Sequence, residues 1–196
     1  MYLKGRGYEQ KTAANPAESA KNLAAARAAY DDALNLNPSP KTQGYICASL
    51  SNVAFFQDDY LTALSQASQA MILVNSPAIQ AALLYRIGVS QQRLGRFTDA
   101  DRTFEQVQTN YPGSPIAQSA QQHEGMRDFY VNLGTYDSAG ADRAVASLRN
   151  NEIALTRQTT PTGQCIVRAG PFTNYLTAKA AEMKLIDQFP QSQIEP

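Results

Sequence analysis

The side chains that could support metal or disulfide chemistry are few and widely spaced in this sequence. Its 196 residues include one histidine, His123, and two cysteines, Cys47 and Cys165, which lie 118 positions apart. A structural zinc or an iron–sulfur cluster needs a set of closely placed ligands, so we expect neither a metal site nor a cofactor. We also expect the two cysteines to remain unpaired.

Two pairs of adjacent carboxylates, Asp31-Asp32 and Asp58-Asp59, could be mistaken for acid–base machinery. The first pair lies in a predicted helix, where adjacent side chains point apart. The second lies in a predicted turn between helices. His123 has no nucleophile or carboxylate at the spacing of a triad, so a capping or solvated histidine is expected. We therefore predict no catalytic residues and a protein that is not an enzyme.

The charge balance excludes another class of function. The chain has 17 Lys and Arg residues against 17 Asp and Glu, and the numbers are ten against ten before residue 125 and seven against seven after it. Nucleic acids are bound largely through neutralisation of their phosphates, so a nucleic-acid partner is not expected. No run of 18 apolar residues occurs, and direct membrane insertion is not expected either.

The first 125 residues contain 21 of the 30 alanines, which favours helices. A repeat pattern is clearest over residues 81–114, where small residues alternate with aromatic ones before a proline at the end of the second helix: Gly88, Gly95, Phe97, Ala100, Phe104 and Pro112. Small residues allow two antiparallel helices to cross closely, and the aromatic side chains fill the space beside the crossing. The pattern recurs over residues 44–77 and, less completely, over 2–38, where 11–19 are expected to form a loop. Residues 115–124 are expected to form a capping helix.

These segments resemble tetratricopeptide repeats, which are helical hairpins. The resemblance implies an all-α solenoid over residues 1–125, with a concave groove that binds a protein or peptide partner. We expect this groove to be lined by the first helix of each pair, and Asn52, Gln91 and Gln92 are the candidate contact residues. The sequence does not identify the partner.

Beyond Gly125 the pattern changes to one of short β-rich runs. Residues 128–134 and 165–170 each end in a glycine, and each is followed by Thr or Pro, an aromatic residue and a helical segment, which indicates a duplicated strand–turn–helix unit. With closing strands at 152–157 and 192–195 the order is βαββαβ. Such a chain forms a four-stranded antiparallel sheet with both helices on one face. Val131, Leu133, Val167 and Ala169 should then face the helices.

Residues 126–196 resemble a SPOR domain, on the motifs FYVNLGTYDSAGADRAVASLR and QCIVRAGPFTNYLTAKAAEMKL and above all Gly170-Pro171-Phe172. The resemblance implies binding to peptidoglycan glycan strands that lack stem peptides, as at bacterial division sites, and hence a periplasmic or cell-envelope location. Because such proteins usually carry a signal or anchor, we expect either that an upstream targeting segment has been removed or that Met1 is not the natural start. The open sheet face supplies the candidate glycan-binding residues, which are Tyr130, Asn132, Thr135, Gln164, Ile166 and Arg168. Arg168 would pair with the lactyl carboxylate of muramic acid.

The sequence therefore predicts a two-domain, non-catalytic envelope adaptor. An alternative keeps the fold but makes the protein an assembly scaffold, in which the SPOR-like sheet binds protein or self-associates rather than binding glycan.

Overall fold

The computed structural model describes residues 1–149 and 153–196 of the chain. The chain divides into two compact units, Met1–Gly125 and Met126–Pro196. The expected helical region followed by an α+β unit is observed.

The described chain of the first unit is helical throughout, and each helix packs against the next along the chain. Its elements pair as the hairpins α1/α2, α3/α4 and α5/α6, followed by α7, with bounds α1 Tyr2–Glu9, α2 Pro16–Asn35, α3 Pro40–Phe56, α4 Tyr60–Leu73, α5 Pro77–Arg93, α6 Phe97–Asn110 and α7 Pro115–His123. Several of these helices begin with proline in the first turn, where the missing N–H is not needed for an intrahelical bond.

The start of α2 corrects one prediction, because the loop expected over 11–19 ends at Asn15. Asn15 is the N-cap, its side chain accepts a hydrogen bond from the backbone N–H of Glu18 at 2.9 Å, and Pro16 occupies the first turn. The Asn-Pro pair thus begins a helix instead of continuing a loop.

Glycine allows two of the hairpins to pack closely. A Cβ on Gly88 would lie 2.6 Å from Cε1 of Phe104, and one on Gly5 would clash with the ring of Tyr30. Phe104 and Tyr30 are both fully buried in the cores of their hairpins. The predicted pairing of small and aromatic residues at the helix crossing is therefore observed at Gly88 and Phe104.

Helix α7 covers the end of the last hairpin with Ala117 and Ala120, which are buried. Its last residue, His123, is packed against the rings of Tyr85 and Phe104, with centroids 5.6 and 5.5 Å away. His123 is therefore half-buried in the last turn of α7 and not fully solvated. Burial lowers the pKa of the His123 imidazole, and the charge of Arg93 lowers it further.

The second unit has the predicted βαββαβ order. Its elements are β1 Phe129–Tyr136, α8 Ser138–Ser147, β2 Leu155–Thr159, β3 Cys165–Phe172, α9 Tyr175–Leu185 and β4 Gln193–Glu195. The sheet order is β2-β3-β1-β4, and every neighbouring pair is antiparallel. Strand β2 begins three residues after the predicted start at Glu152, which lies outside the described residues.

Both helices of this unit pack on the same strands, β1 and β3. Val131, Leu133, Val167 and Ala169 are buried on the helix side, as the alternation predicts. Tyr136 and Phe172 are only half-buried, and Phe129 and Tyr175 form the buried aromatic pair of this unit.

Gly134 and Gly170 take equivalent places in the duplicated units and have φ values of +133° and +124°. Side chains other than that of glycine rarely adopt this conformation. This explains why glycine occupies the sixth position of each of the two long strands.

Candidate functional site

The first candidate site is a groove of about 470 Å³ formed by α1, α3 and α5, the first helices of the three hairpins. Along α3 and α5 its lining residues follow a spacing of three and four positions, which places them on one face of each helix. Much of the surface is apolar and is formed by Ala48, Ile79, Ala82 and Leu83, with Tyr2 and Tyr45 at its sides.

A polar network crosses this groove and joins the three helices. The Glu9 carboxylate of α1 accepts hydrogen bonds from the Tyr30 hydroxyl at 2.5 Å and from Asn52 Nδ2 at 2.6 Å. Asn52 Oδ1 in turn accepts one from Arg86 Nη2 at 2.7 Å. The side chain of Glu9 is only 8 % exposed and also pairs with Arg6 at 3.4 Å. Burial and the hydrogen bond to Glu9 raise the pKa of the Tyr30 hydroxyl.

Two arginines line the groove, Arg6, which pairs with Glu9, and Arg86. The environment of Arg86 differs from that of Arg6. The guanidinium carbon of Arg86 lies 4.2 Å from the ring centroid of Phe55, a cation–π distance. Burial lowers the pKa of Arg86 to about 10, with a further contribution from Arg93, so the side chain remains charged at neutral pH. Among the described residues, Arg86 has no ion pair with a carboxylate. It can therefore offer further N–H donors to an acceptor in the groove.

The structure places the three predicted groove residues differently. Asn52 lies in the groove, at the centre of the polar network. Gln91 accepts a hydrogen bond from Thr103 within the α5/α6 hairpin. Gln92 is 1 % exposed and bonds both the ring and the backbone carbonyl of His123. The prediction of Gln91 and Gln92 as groove contacts is therefore wrong, because they lie on other faces of α5.

Sequence reasoning missed Glu9 and Arg86. The helical spacing from Ile79 through Ala82 and Leu83 to Arg86 was the available signal, since it places Arg86 at the end of the lining face. Little in the local sequence marked Glu9, because its partners on α2 and α3 are 21 and 43 positions away.

The second candidate site is the sheet face of the C-terminal unit opposite α8 and α9. Its centre is Arg168 on β3, which is paired with Asn132 on β1 in the register. Arg168 Nε donates to Oε1 of Glu195 on β4 in an ion pair. Its Nη1 donates to Oε1 of Gln158 on β2 at 2.6 Å. Arg168 is thus already bound to two side chains of its own sheet.

Asn132 is similarly engaged within the unit. Its Oδ1 accepts a hydrogen bond from the backbone N–H of Gly134 at 3.0 Å, at a break in the β1/β3 register. Its Nδ2 donates to Oε2 of Glu195 at 3.3 Å. The hydrogen bonds to Gly134 and Glu195 account for the poor strand-former Asn at this position.

The other predicted residues surround this centre. Tyr130 and Ile166 are half-buried, and Thr135 is exposed and lies opposite Ile166. Gln164 is exposed at the β2–β3 connection, where its backbone bonds Thr160. The predicted set therefore shares one region of the sheet. Glu195 and Gln158, which accept hydrogen bonds from the guanidinium of Arg168, were not predicted.

The two cysteines, Cys47 and Cys165, are buried free thiols, and burial raises the pKa of the Cys47 thiol. In the described ranges, His, Cys, Asp and Glu side chains form no group of three that could hold a metal ion. No helix there combines the length and apolar character needed to cross a bilayer.

Comparison with known proteins identifies one family. No curated protein and no solved structure matches the chain. Residues 82–114 match the tetratricopeptide repeat family; they cover most of α5, all of α6 and the turn before α7. Together with the array of helical hairpins, this match identifies a tetratricopeptide repeat in the first unit, and it indicates a role in protein–protein interaction.

Proposed function

We propose that the protein is a non-catalytic adaptor of the bacterial cell envelope, in which the C-terminal sheet binds peptidoglycan glycan strands while the helical repeats bind a protein partner. The glycan strands would be those without stem peptides, whose muramic acids carry lactyl carboxylates. The resemblance of residues 126–196 to a SPOR domain supports this proposal, and the same resemblance implies a periplasmic location.

The observation that carries the proposal is the sheet face that α8 and α9 leave uncovered. Ile166 lies two residues from Arg168 on β3, and Tyr130 lies two residues from Asn132, the register partner of Arg168 on β1. Sugar rings pack on flat apolar surfaces, and guanidinium groups bind carboxylates through charge-assisted hydrogen bonds. Residues 126–196 carry seven positive and seven negative side chains. Glycan binding would therefore depend on these individual groups and not on a net attraction between a basic domain and an anionic glycan.

The test is sedimentation of the full chain with sacculi from which an amidase has removed the stem peptides. Arg168→Ala should weaken binding by roughly tenfold or more, the value of one hydrogen bond to a charged group. Arg157→Ala is the matched control, because Arg157 lies on the same sheet but pairs with Asp142 of α8 at 2.6 Å. Equal binding by wild type and Arg168→Ala, with both folded, would reject the role of Arg168.

The assembly scaffold remains a second candidate, favoured by the edge strand β2. Residues 156–159 of this strand are exposed, and β2 ends the sheet order. An exposed edge can pair with a strand of another chain. Analytical ultracentrifugation separates the two functions: a dimer at micromolar concentration, together with no binding to treated sacculi, would favour the scaffold.

A further inference from the structure

A row of polar side chains crosses the uncovered face and involves all four strands. It runs from Gln158 on β2 through Arg168 on β3 and Asn132 on β1 to Glu195 on β4. Arg168 is the only cation in this row and Glu195 the only anion, so the row is neutral.

The donors of Arg168 decide how a carboxylate could bind it. A guanidinium binds a carboxylate bidentately along one of two edges, the Nε–Nη2 edge or the Nη1–Nη2 edge. Glu195 occupies Nε on the first edge, and Gln158 occupies Nη1 on the second. Each edge therefore has one nitrogen engaged before any ligand arrives.

We infer that Glu195 is a specificity-determining residue of this face: its carboxylate holds the place on Arg168 that the carboxylate of a glycan strand would take. This inference rests on the proposed glycan binding. An anionic glycan must then displace Glu195 from Arg168 or bind beside a second negative charge. Glycans without carboxylates do not meet this competition.

The ion pair between Arg168 and Glu195 is partly exposed, so a ligand carboxylate can displace Glu195 from Arg168. The side chains of Arg168 and Glu195 are 26 % and 34 % exposed, and partly exposed ion pairs contribute modestly to stability. Glu195 therefore reduces the affinity for a carboxylate without closing the site. Glu195→Gln keeps the size of the side chain and an acceptor for Arg168, but it removes the competing charge.

Three variants of the full chain test this role with amidase-treated sacculi as the probe. Glu195→Gln should bind about two- to fivefold more tightly than wild type, the range given by a weak ion pair. Gln158→Glu adds a carboxylate at the other end of Arg168 and should weaken binding by a similar factor. Asp142→Asn is the control, because it removes one negative charge and one arginine pair on the helix side of the same unit.

A second probe separates charge from shape. When the lactyl carboxylates of the same sacculi are reduced to alcohols, Glu195→Gln should lose its advantage over wild type. The melting temperatures of all variants should remain close to that of wild type, which shows that the sheet is intact.

The outcomes distinguish the two hypotheses. If neither wild type nor Glu195→Gln binds treated sacculi, the proposed glycan function itself is refuted. If wild type binds and Glu195→Gln binds equally or less tightly, only the role of Glu195 is overturned. Opposite effects of Glu195→Gln and Gln158→Glu, with no effect of Asp142→Asn, would support it.

Discussion

Replacement of Glu9 by alanine tests whether the polar network holds the groove of the repeats together. Glu9 is the last residue of the short helix α1, and its carboxylate is the common acceptor for Tyr30 of α2 and Asn52 of α3. Tyr30 is fully buried, and Asn52 is half-buried. Glu9→Ala therefore leaves two donors in the hairpin interface without their acceptor.

The expected loss of stability is estimated from the hydrogen bonds that Tyr30 and Asn52 donate to Glu9. Bonds of 2.5 and 2.6 Å to a carboxylate that is 8 % exposed are of the charge-assisted kind, each contributing about 1.5–3 kcal/mol. Water can reach the half-buried Asn52 once Glu9 is gone, so the two contributions do not add fully. We expect the free energy of unfolding to fall by about 2–4 kcal/mol.

Urea unfolding followed by far-UV circular dichroism measures this change, because helices of the first unit dominate the signal. Glu105→Ala is the matched control: Glu105 is an exposed glutamate on α6, and its replacement should change stability by less than about 0.5 kcal/mol. If Glu9→Ala costs no more than Glu105→Ala, Glu9 does not stabilise the groove, and the reasoning from its hydrogen bonds is refuted.

Packing and burial lead to three further predictions. Gly88→Ala should lower the free energy of unfolding in urea by about 1–2 kcal/mol, because the new Cβ would lie 2.6 Å from the Phe104 ring. Gly7→Ala is the matched control, because a Cβ on Gly7 meets nothing within 4 Å. It should raise the free energy of unfolding by about 0.5–1 kcal/mol. Gly134→Ala should cost at least about 1 kcal/mol, since φ there is +133°, and thermal melting measures it. Because the pKa of His123 is lowered in the folded state, the unfolded chain takes up the proton at higher pH than the folded chain. The free energy of unfolding should therefore fall as pH drops below about 6.5 and level off below the folded pKa. His123→Gln should abolish this pH dependence between pH 7 and 5, and an unchanged dependence would contradict the prediction.

The sequence predicted those features that depend on local patterns. The hairpins arise from small and aromatic residues at fixed spacing, and the alternation of Val131 and Leu133 with polar residues gives the buried side of β1. The loop predicted over 11–19 ends at Asn15 in the structure, because Asn-Pro is a signal both for turns and for helix starts. The residues on the C-terminal side of the proline decide between the two, and the alanine-rich run after Pro16 favours the helix.

The partners of the candidate site residues could not be predicted, because they depend on tertiary register. Glu195 lies 27 positions from Arg168 and reaches it across β1, and the β1/β3 register shifts twice along its length. A shift of one residue in either strand would move a side chain to the other face. Composition and spacing identify a sheet arginine but not the carboxylate that neutralises it.

The two candidate sites differ in how the charge of their arginine is balanced, and this leads to different behaviour in salt. Arg168 is paired with the carboxylate of Glu195. Added salt weakens this internal ion pair as well as the contact between Arg168 and a ligand, so the two effects on ligand binding partly cancel. Arg86 is held by Asn52 and Phe55, and Glu9 is already bound to Tyr30 and Asn52. A carboxylate of a partner bound in the groove would meet a cation that has no ion pair within the described part of the chain. Binding at the groove should therefore decrease more steeply with ionic strength than binding at the sheet.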